Sequence, residues 1–146
     1  MEEFLKDSGT DSVELILSQF IKAHRQLKFM HLAKLGLYPG QPPLLAALCK
    51  NDGCSQKELV DCLSVKPPTI AVTIRRMEKA GLLERRADTG DMRKTKVFIT
   101  DKGRELHSKV DEITNEIENQ CFNGFTEAEK VLVRRFLIQM RDNLLS

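Results

Sequence analysis

The sequence has no long apolar segment. The longest apolar-leaning stretch without a charge, Leu35 to Cys49, is interrupted by two glycines and three prolines. A membrane-spanning helix needs about 20 mostly apolar residues, so this stretch does not predict one. The first residues, Met1 to Lys6, are acidic and lack the apolar core of a signal peptide. We therefore expect a cytoplasmic protein with no membrane partner.

Cysteine is scarce and irregularly spaced. The four cysteines are Cys49, Cys54, Cys62 and Cys121, and no Cys-x-x-Cys pair occurs. Zinc sites usually show close cysteine or histidine pairs, so we expect no metal site and no other cofactor. In a reducing compartment these thiols should be free.

Catalytic motifs are also missing. The sequence contains no Gly-rich phosphate loop, no Ser-His-Asp pattern and no His-Glu-x-x-His. Its carboxylates lie on charged helical faces, as Glu112, Glu116 and Glu118 do. These absences predict that the protein is not an enzyme.

The composition is that of one folded domain. The chain has 146 residues, of which 41% are hydrophobic and 30% charged. The net charge is only +2, but residues 55–104 carry a net charge of +5, against 0 for 1–54 and −3 for 105–146. A local basic excess can bind phosphate, although an ordinary solvated surface would also explain it.

The first half of the chain predicts four helices. Apolar residues recur at helical spacing over about 12–34, with Ser12 or Asp11 as the cap and Gly36 as the end. A short helix follows the turn at 38–43. Ser55 and Glu58 form a capping box for the third helix. Pro67 and Pro68 open a fourth that Gly81 ends, so helices three and four make a helix-turn-helix candidate.

The second half predicts a hairpin and two long helices. Leu82 to Arg86 and Lys96 to Ile99 are strand-like, with a polar basic tip between them. Thr100 can cap the fifth helix, and Thr126 with Glu129 forms a second capping box for the sixth. The outer helices have apolar stripes and few neighbours in so small a chain, which favours a two-fold dimer.

The central motifs, in this order and spacing, resemble the MarR family of winged helix-turn-helix transcription regulators. The matching segments are Ser55-Gln56-Lys57-Glu58-Leu59, Val65-Lys66-Pro67-Pro68-Thr69-Ile70, Arg76-Met77-Glu78-Lys79-Ala80-Gly81-Leu82-Leu83-Glu84-Arg85, Asp88-Thr89-Gly90-Asp91-Met92-Arg93 and Val97-Phe98-Ile99-Thr100-Asp101-Lys102-Gly103. Leu35-Gly36-Leu37 followed by Gly40-Gln41 also looks like the family's approach to its second helix.

The resemblance implies a mainly α fold with a small β-hairpin. Its winged helix-turn-helix core, at about 40–100, would be flanked by dimerisation helices at about 12–34 and 101–145, within a single domain covering 1–146. It implies a homodimer on double-stranded operator DNA, acting as a ligand-responsive repressor. The ligand would be a small aromatic or anionic effector.

DNA contacts are expected from the start of the fourth helix and from the wing. Lys66, Pro68 and Thr69 lie in the first helical turn, where short side chains and free backbone N–H groups can meet bases and phosphates. Arg93 at the hairpin tip can enter a minor groove, and Asp91 can hold its guanidinium. The complete set of candidates is Ser55, Lys66, Pro68, Thr69, Thr73, Arg75, Arg76, Arg85, Asp91, Arg93 and Lys94.

The sequence departs from the family pattern at two places. Ala71 and Val72 stand where relatives often have Thr and Arg, so a base-reading arginine is missing there. Met92 replaces a frequent basic residue, and Lys94 is expected to supply the second charge of the wing.

The sequence leaves the regulatory signal open. Met30, His31 and Tyr38 form a candidate effector pocket near the turn after the first helix. Cys54 is the best candidate for redox sensing, because it precedes a helix N-terminus. His24 and His31 lie about 10 Å apart along one helix face, so a metal would need a further ligand such as His107. A winged helix used only for protein contact is the remaining alternative.

Overall fold

The computed structural model describes residues 12–146. The acidic start of the chain and Asp11, the alternative cap of the first helix, lie outside these residues. Six helices and three short strands follow one another along the described chain. They are α1 Val13–Lys34, α2 Gln41–Lys50, β1 Cys54–Ser55, α3 Gln56–Leu63, α4 Pro67–Lys79, β2 Leu83–Ala87, β3 Thr95–Ile99, α5 Asp101–Cys121 and α6 Glu127–Leu145.

The helix ends follow the local signals in the sequence. Ser12 caps α1 by accepting from the Leu15 amide at 3.2 Å. Both capping boxes form, at Ser55 with Glu58 and at Thr126 with Glu129. Gly81, which follows the C-cap Ala80 of α4, takes a φ of +75°, so a left-handed residue ends this helix as predicted. These predictions are therefore confirmed.

The sheet has one more strand than the sequence predicts. Its order is β1-β3-β2, and both pairings are antiparallel. The hairpin of β2 and β3 pairs Leu83 with Ile99 and Ala87 with Thr95. In β1, Cys54 pairs with Val97. The two-residue β1 was missed because so short a strand has no periodicity of its own.

Residues 12–114 form one compact unit around a hydrophobic core. Leu44, Leu45 and Leu48 of α2 are fully buried, and α4 adds Ile74 and Met77. Complete burial of one such side chain stabilises a fold by about 1.5–3 kcal/mol. This core therefore fixes α4 and the sheet on α2, which leaves the outer face of α4 at the surface.

A close approach at the start of α5 fixes the base of the wing. A Cβ atom at Gly103 would collide with the Leu82 carbonyl, so this position requires glycine. The Thr100 hydroxyl donates to Gly81 O at 2.7 Å and accepts from the Gly103 amide at 3.1 Å. Thr100 thus caps α5, as expected, and also joins it to the residue that ends α4.

Residues 115–146 form a second compact unit that contains the end of α5 and all of α6. None of the α6 residues is buried. Its exposed large apolar residues are Val131, Leu132, Phe136, Leu137, Met140, Leu144 and Leu145. Among residues 12–146, no helix combines the length and apolar character needed to cross a membrane.

Candidate functional site

The α4 helix separates core residues from a polar outer face. Ile70, Ile74 and Met77 are buried on its inner side. The outer side and the cap at Lys66 carry the candidate DNA-contacting residues, which are exposed except for the partly buried Thr73. These residues are Lys66, Pro68, Thr69, Thr73, Arg75 and Arg76. The arrangement leaves one face of a 13-residue helix available to a groove.

The start of α4 has fewer free backbone donors than expected. Pro67 and Pro68 have no N–H group, and the Thr69 and Ile70 amides both donate to Lys66 O at 3.0 and 3.2 Å. The expectation that free N–H groups bind phosphate there is therefore wrong.

The turn between α1 and α2 lies beside the outer face of α4. A Cβ on Gly40 would be 3.9 Å from Thr73 Oγ1. The Arg76 guanidinium lies 5.9 Å from the centroid of the Tyr38 ring, within cation–π range. Tyr38 is exposed and belongs to this face of the molecule. The sequence predicted that Tyr38 lines an effector pocket, but the structure places it at the surface beside α4.

The tip of the wing is shaped by two aspartates. Asp91 Oδ1 accepts from the backbone N–H of Arg93 at 3.0 Å, and the Asp88 amide donates to Lys94 O at 2.7 Å. Asp91 therefore positions Arg93 through its main chain, whereas the sequence interpretation had Asp91 holding the guanidinium. The Arg93 and Lys94 side chains are exposed and make no ion pair within residues 12–146.

The cations at the base of the wing are already paired. Arg85 binds Glu78 Oε2 through Nη2 at 2.8 Å and through Nε at 3.0 Å. This hydrogen-bonded contact lowers the pKa of the Glu78 carboxyl. Arg86 contacts Glu84 at 3.0 Å and lies over the Phe98 ring. Arg85 therefore joins the wing to α4, and this role competes with the predicted DNA contact.

Ser55 has a structural role at the start of α3. Its hydroxyl accepts from the Glu58 amide at 3.1 Å, and its backbone N–H donates to Glu58 Oε2 at 2.6 Å. Hydrogen bonding from Ser55, chiefly from its backbone N–H and secondarily from its side chain, lowers the pKa of the Glu58 carboxyl. Ser55 thereby fixes the first helix of the helix-turn-helix, with or without a DNA contact.

Asp52 is a connecting residue that the sequence analysis missed. One carboxylate oxygen accepts from the Ile99 amide at 2.9 Å, and the other accepts from Arg104 Nη2 at 2.9 Å. It joins the loop after α2 to the last residue of β3 and to α5. Ile99 is 47 residues from Asp52 along the chain, so no local pattern signals this contact.

A cavity of about 1150 Å³ lies between α1, α2 and α5. Its apolar walls include Phe20, Phe29 and Leu32 from α1, and Val110 from α5. Its polar and charged residues are Ser18, Lys22, His24, Arg25, Gln26, Lys28, His107, Asp111 and Thr114. The predicted pocket residues Met30 and His31 are not part of this lining.

The structure gives Cys54 the opposite of the properties that a redox sensor needs. Cys54 is buried, its thiol donates to Asn51 O at 2.8 Å, and burial raises its pKa. A reactive thiol is exposed and has a lowered pKa. The prediction of Cys54 as a redox candidate is therefore wrong. Within residues 12–146, no three His, Cys, Asp or Glu side chains come close enough to hold a metal ion.

Comparison with known proteins gives consistent matches. The family model described as MarR family matches residues 35–94. The HTH-type transcriptional regulator TtmR of Methylorubrum extorquens is 32% identical over 125 residues, which cover 86% of this chain and 61% of TtmR. An uncharacterized HTH-type transcriptional regulator of Bacillus subtilis, YwoH, is 30% identical over 81% of this chain and 85% of its own length.

A solved structure resembles the fold over most of its length. The BpsR protein of Bordetella bronchiseptica is 26% identical and superposes with a TM-score of 0.72, covering 91% of this chain and 95% of that one. That structure concerns the mechanism by which 6-hydroxynicotinic acid regulates DNA binding by BpsR. The superposition confirms the predicted mainly α, winged helix-turn-helix fold.

Proposed function

Since this chain belongs to the MarR family of transcriptional regulators, we propose that it binds operator DNA as a homodimer and represses transcription until a small ligand releases it. In this proposal, the helices at about 12–34 and 101–145 form the dimer, and the residues at about 40–100 form the winged helix-turn-helix. The chain spans 61% of the length of TtmR.

The observation that supports DNA binding best is the distribution of unpaired cations. Among the candidate DNA-binding residues, Arg85 is held in an ion pair at the base of the wing. The remaining five cations make no ion pair within residues 12–146, and all lie on α4, at its cap or at the tip of the wing. These are Lys66, Arg75, Arg76, Arg93 and Lys94. Such cations bind phosphate and release counterions when they do so.

We assign recognition of the DNA bases to the first two turns of α4. Thr69 is exposed, and the Pro68 ring can contact a thymine methyl group. The Thr73 hydroxyl donates to Thr69 O at 2.9 Å, which leaves its lone pairs to accept from a base. The side chains of Ala71 and Val72 cannot form hydrogen bonds. Lys66 and the wing therefore contribute more of the operator recognition.

The dimer is supported by apolar surface that the described chain leaves uncovered. In α1 only Leu32 is buried, although Val13, Ile16 and Phe20 recur at helical spacing. In α6 no residue is buried. Exposed patches of this extent mark interaction surfaces, and a second copy is the simplest partner. The operator should then be pseudo-palindromic, with half-sites about one helical turn apart.

Ligand control is supported by the cavity between α1, α2 and α5. The α2 helix lines this cavity and also adjoins the outer face of α4 at Gly40. A ligand that prefers an arrangement of these helices unsuited to DNA would release the operator. BpsR, whose DNA binding is regulated by an aromatic acid, is the relative that motivates this part of the proposal.

The test is titration of the full chain onto its own upstream DNA at about 50 and 200 mM salt, with random DNA as the control. We expect selective binding whose affinity falls steeply as salt rises. Weak and equal binding to both DNAs would contradict the proposal and would favour a winged helix used for protein contact. The same measurement, repeated with candidate ligands, tests release.

A further inference from the structure

The turn between α1 and α2 places an aromatic ring beside the outer face of α4. Tyr38 is 61% exposed, and Cζ of Arg76 lies 5.9 Å from the centroid of its ring. A Cβ on Gly40 would be 3.9 Å from Thr73 Oγ1, so the turn and α4 meet at this point. Because Thr69, Thr73 and Arg76 are four and three residues apart, they share one face of α4. The ring therefore borders the face that the proposed function turns towards DNA.

The backbone that carries this ring is held by the buried residue Gln41. Gln41 Oε1 accepts from the Tyr38 amide at 3.0 Å, and the Gln41 amide donates to Tyr38 O at 3.0 Å. Gln41 is only 6% exposed, although glutamine usually lies at the surface. Leu37, on the other side of Tyr38, is buried in the core. The ring is thus carried by a backbone that is fixed before and after it.

The ring is also the partner that the described structure gives to Arg76. Within residues 12–146 the Arg76 guanidinium makes no ion pair, and Tyr38 is the one aromatic ring within its cation–π range. An arginine loses conformational entropy when binding fixes its rotamers. A ring face attracts the guanidinium and leaves N–H groups of its fork available to a phosphate. Less of that entropy then remains to be lost when Arg76 binds one.

We propose that Tyr38 is a positioning residue of the DNA interface, whose ring holds the Arg76 guanidinium against a backbone phosphate of the operator. The interface then includes the turn between α1 and α2 as well as α4 and the wing. This inference rests on the proposed function, because its partner is operator DNA. A phosphate contact carries no base information, so Tyr38 contributes to the affinity for any duplex and not to sequence selectivity.

Two substitutions separate the ring of Tyr38 from its hydroxyl group. Tyr38→Leu removes the ring face, and we expect it to weaken binding about 2- to 5-fold at each half-site, as the loss of an exposed cation–π contact does. Tyr38→Phe keeps the face and should retain most of the affinity. Fluorescence anisotropy with labelled operator and with random duplex measures both affinities. Their ratio should be the same in Tyr38→Leu as in the unmodified chain. A changed ratio, or equal losses in the two variants, would overturn the proposal.

A double-mutant cycle shows whether Tyr38 acts through Arg76. In an Arg76→Gln chain, Tyr38→Leu should cause no further loss of affinity, because the ring has no guanidinium left to hold. Arg75→Gln is the matched background, since it removes an exposed neighbouring cation that has no ring within cation–π range among residues 12–146. There Tyr38→Leu should keep its full effect. Additive losses in the Arg76→Gln chain would overturn the proposal.

A measurement without DNA distinguishes this inference from the proposed function. The ring current of Tyr38 should shift the Arg76 side-chain resonances, and the shift should persist in Tyr38→Phe and vanish in Tyr38→Leu. No shift in the unmodified chain would overturn the contact itself. If Tyr38→Leu does not fold, as judged by circular dichroism, Tyr38→Gln takes its place. A Tyr38→Leu chain that binds operator normally would keep the regulator and remove this inference. An unmodified chain that shows the shift but binds no DNA would remove the proposed function, and the inference with it.

Discussion

At the scale of single residues, the wing has one arginine held in an ion pair and another whose side chain makes no ion pair among residues 12–146. Arg85 is held by Glu78 at the base of the wing, with 43% of its side chain exposed. The Asp91 carboxylate accepts from the Arg93 backbone N–H, and the Asp88 backbone N–H donates to Lys94 O. The Arg93 guanidinium makes no ion pair among residues 12–146. The wing therefore presents its arginine on a turn whose backbone is already ordered. In the proposed complex, less conformational entropy therefore remains to be lost when Arg93 binds DNA.

Arg93→Ala tests the role of this side chain. We expect it to weaken operator binding by about 1–3 kcal/mol, because a groove or phosphate contact is lost. The unfolding free energy should stay unchanged, since Arg93 is exposed. Fluorescence anisotropy with labelled operator measures the first, and urea denaturation the second. Met92→Ala, at the same tip and 80% exposed, is the control and should bind normally. Unchanged affinity in Arg93→Ala would remove the wing from the interface.

At the scale of secondary-structure elements, the two capping boxes make stability sensitive to acid. Hydrogen bonds from Ser55 lower the pKa of Glu58, and hydrogen bonds from Thr126 lower that of Glu129, the backbone bond most in each case. A carboxyl whose pKa is lowered in the folded state stabilises it above the unfolded value, about 4.3 for glutamate. That stabilisation is lost as the pH falls through the folded-state value.

Glu58→Gln and Glu129→Gln should therefore reduce the unfolding free energy at pH 7, and the difference from the unmodified protein should shrink below about pH 4.3. Urea denaturation followed by circular dichroism at a series of pH values measures it. Glu116→Gln is the control, because this exposed glutamate makes no hydrogen bond or ion pair within the described residues. A difference that stays constant from neutral to acid pH would contradict the argument.

The same elements show which features of the structure the sequence could predict. Ser12, Ser55, Thr126 and Gly81 act through neighbours within a few residues, so their helix boundaries were predicted correctly. β1 and the Asp52 contact with Ile99 depend on segments more than 40 residues apart, and they left no periodic signal. The cavity between α1, α2 and α5 was not predicted, for the same reason. Its lining comes from three helices, and the prediction used only residues near one turn.

At the scale of the whole molecule, the exposed apolar side chains of α6 are the surface on which the proposed dimer depends. In α6, Leu132, Phe136, Met140 and Leu144 recur every four residues and are all exposed. This spacing places them along one face of the helix. A stable interface buries about 1,200–2,000 Å² in total. Two recognition helices can then contact successive major grooves, so dimer formation and operator affinity should be lost together.

Phe136→Glu tests this coupling, because it puts a charge in the middle of that face. We expect sedimentation equilibrium to show a monomer where the unmodified chain is a dimer, since a buried unpaired charge strongly disfavours association. Operator affinity should fall with it, because one recognition helix reaches only one half-site. Leu145→Glu is the matched control, since it adds the same charge to the same helix at a residue 78% exposed and outside the four-residue repeat. A Phe136→Glu chain that still sediments as a dimer would assign the interface to another surface. A monomer that retained full operator affinity would separate DNA binding from dimer formation and would remove the two-fold operator from the proposal.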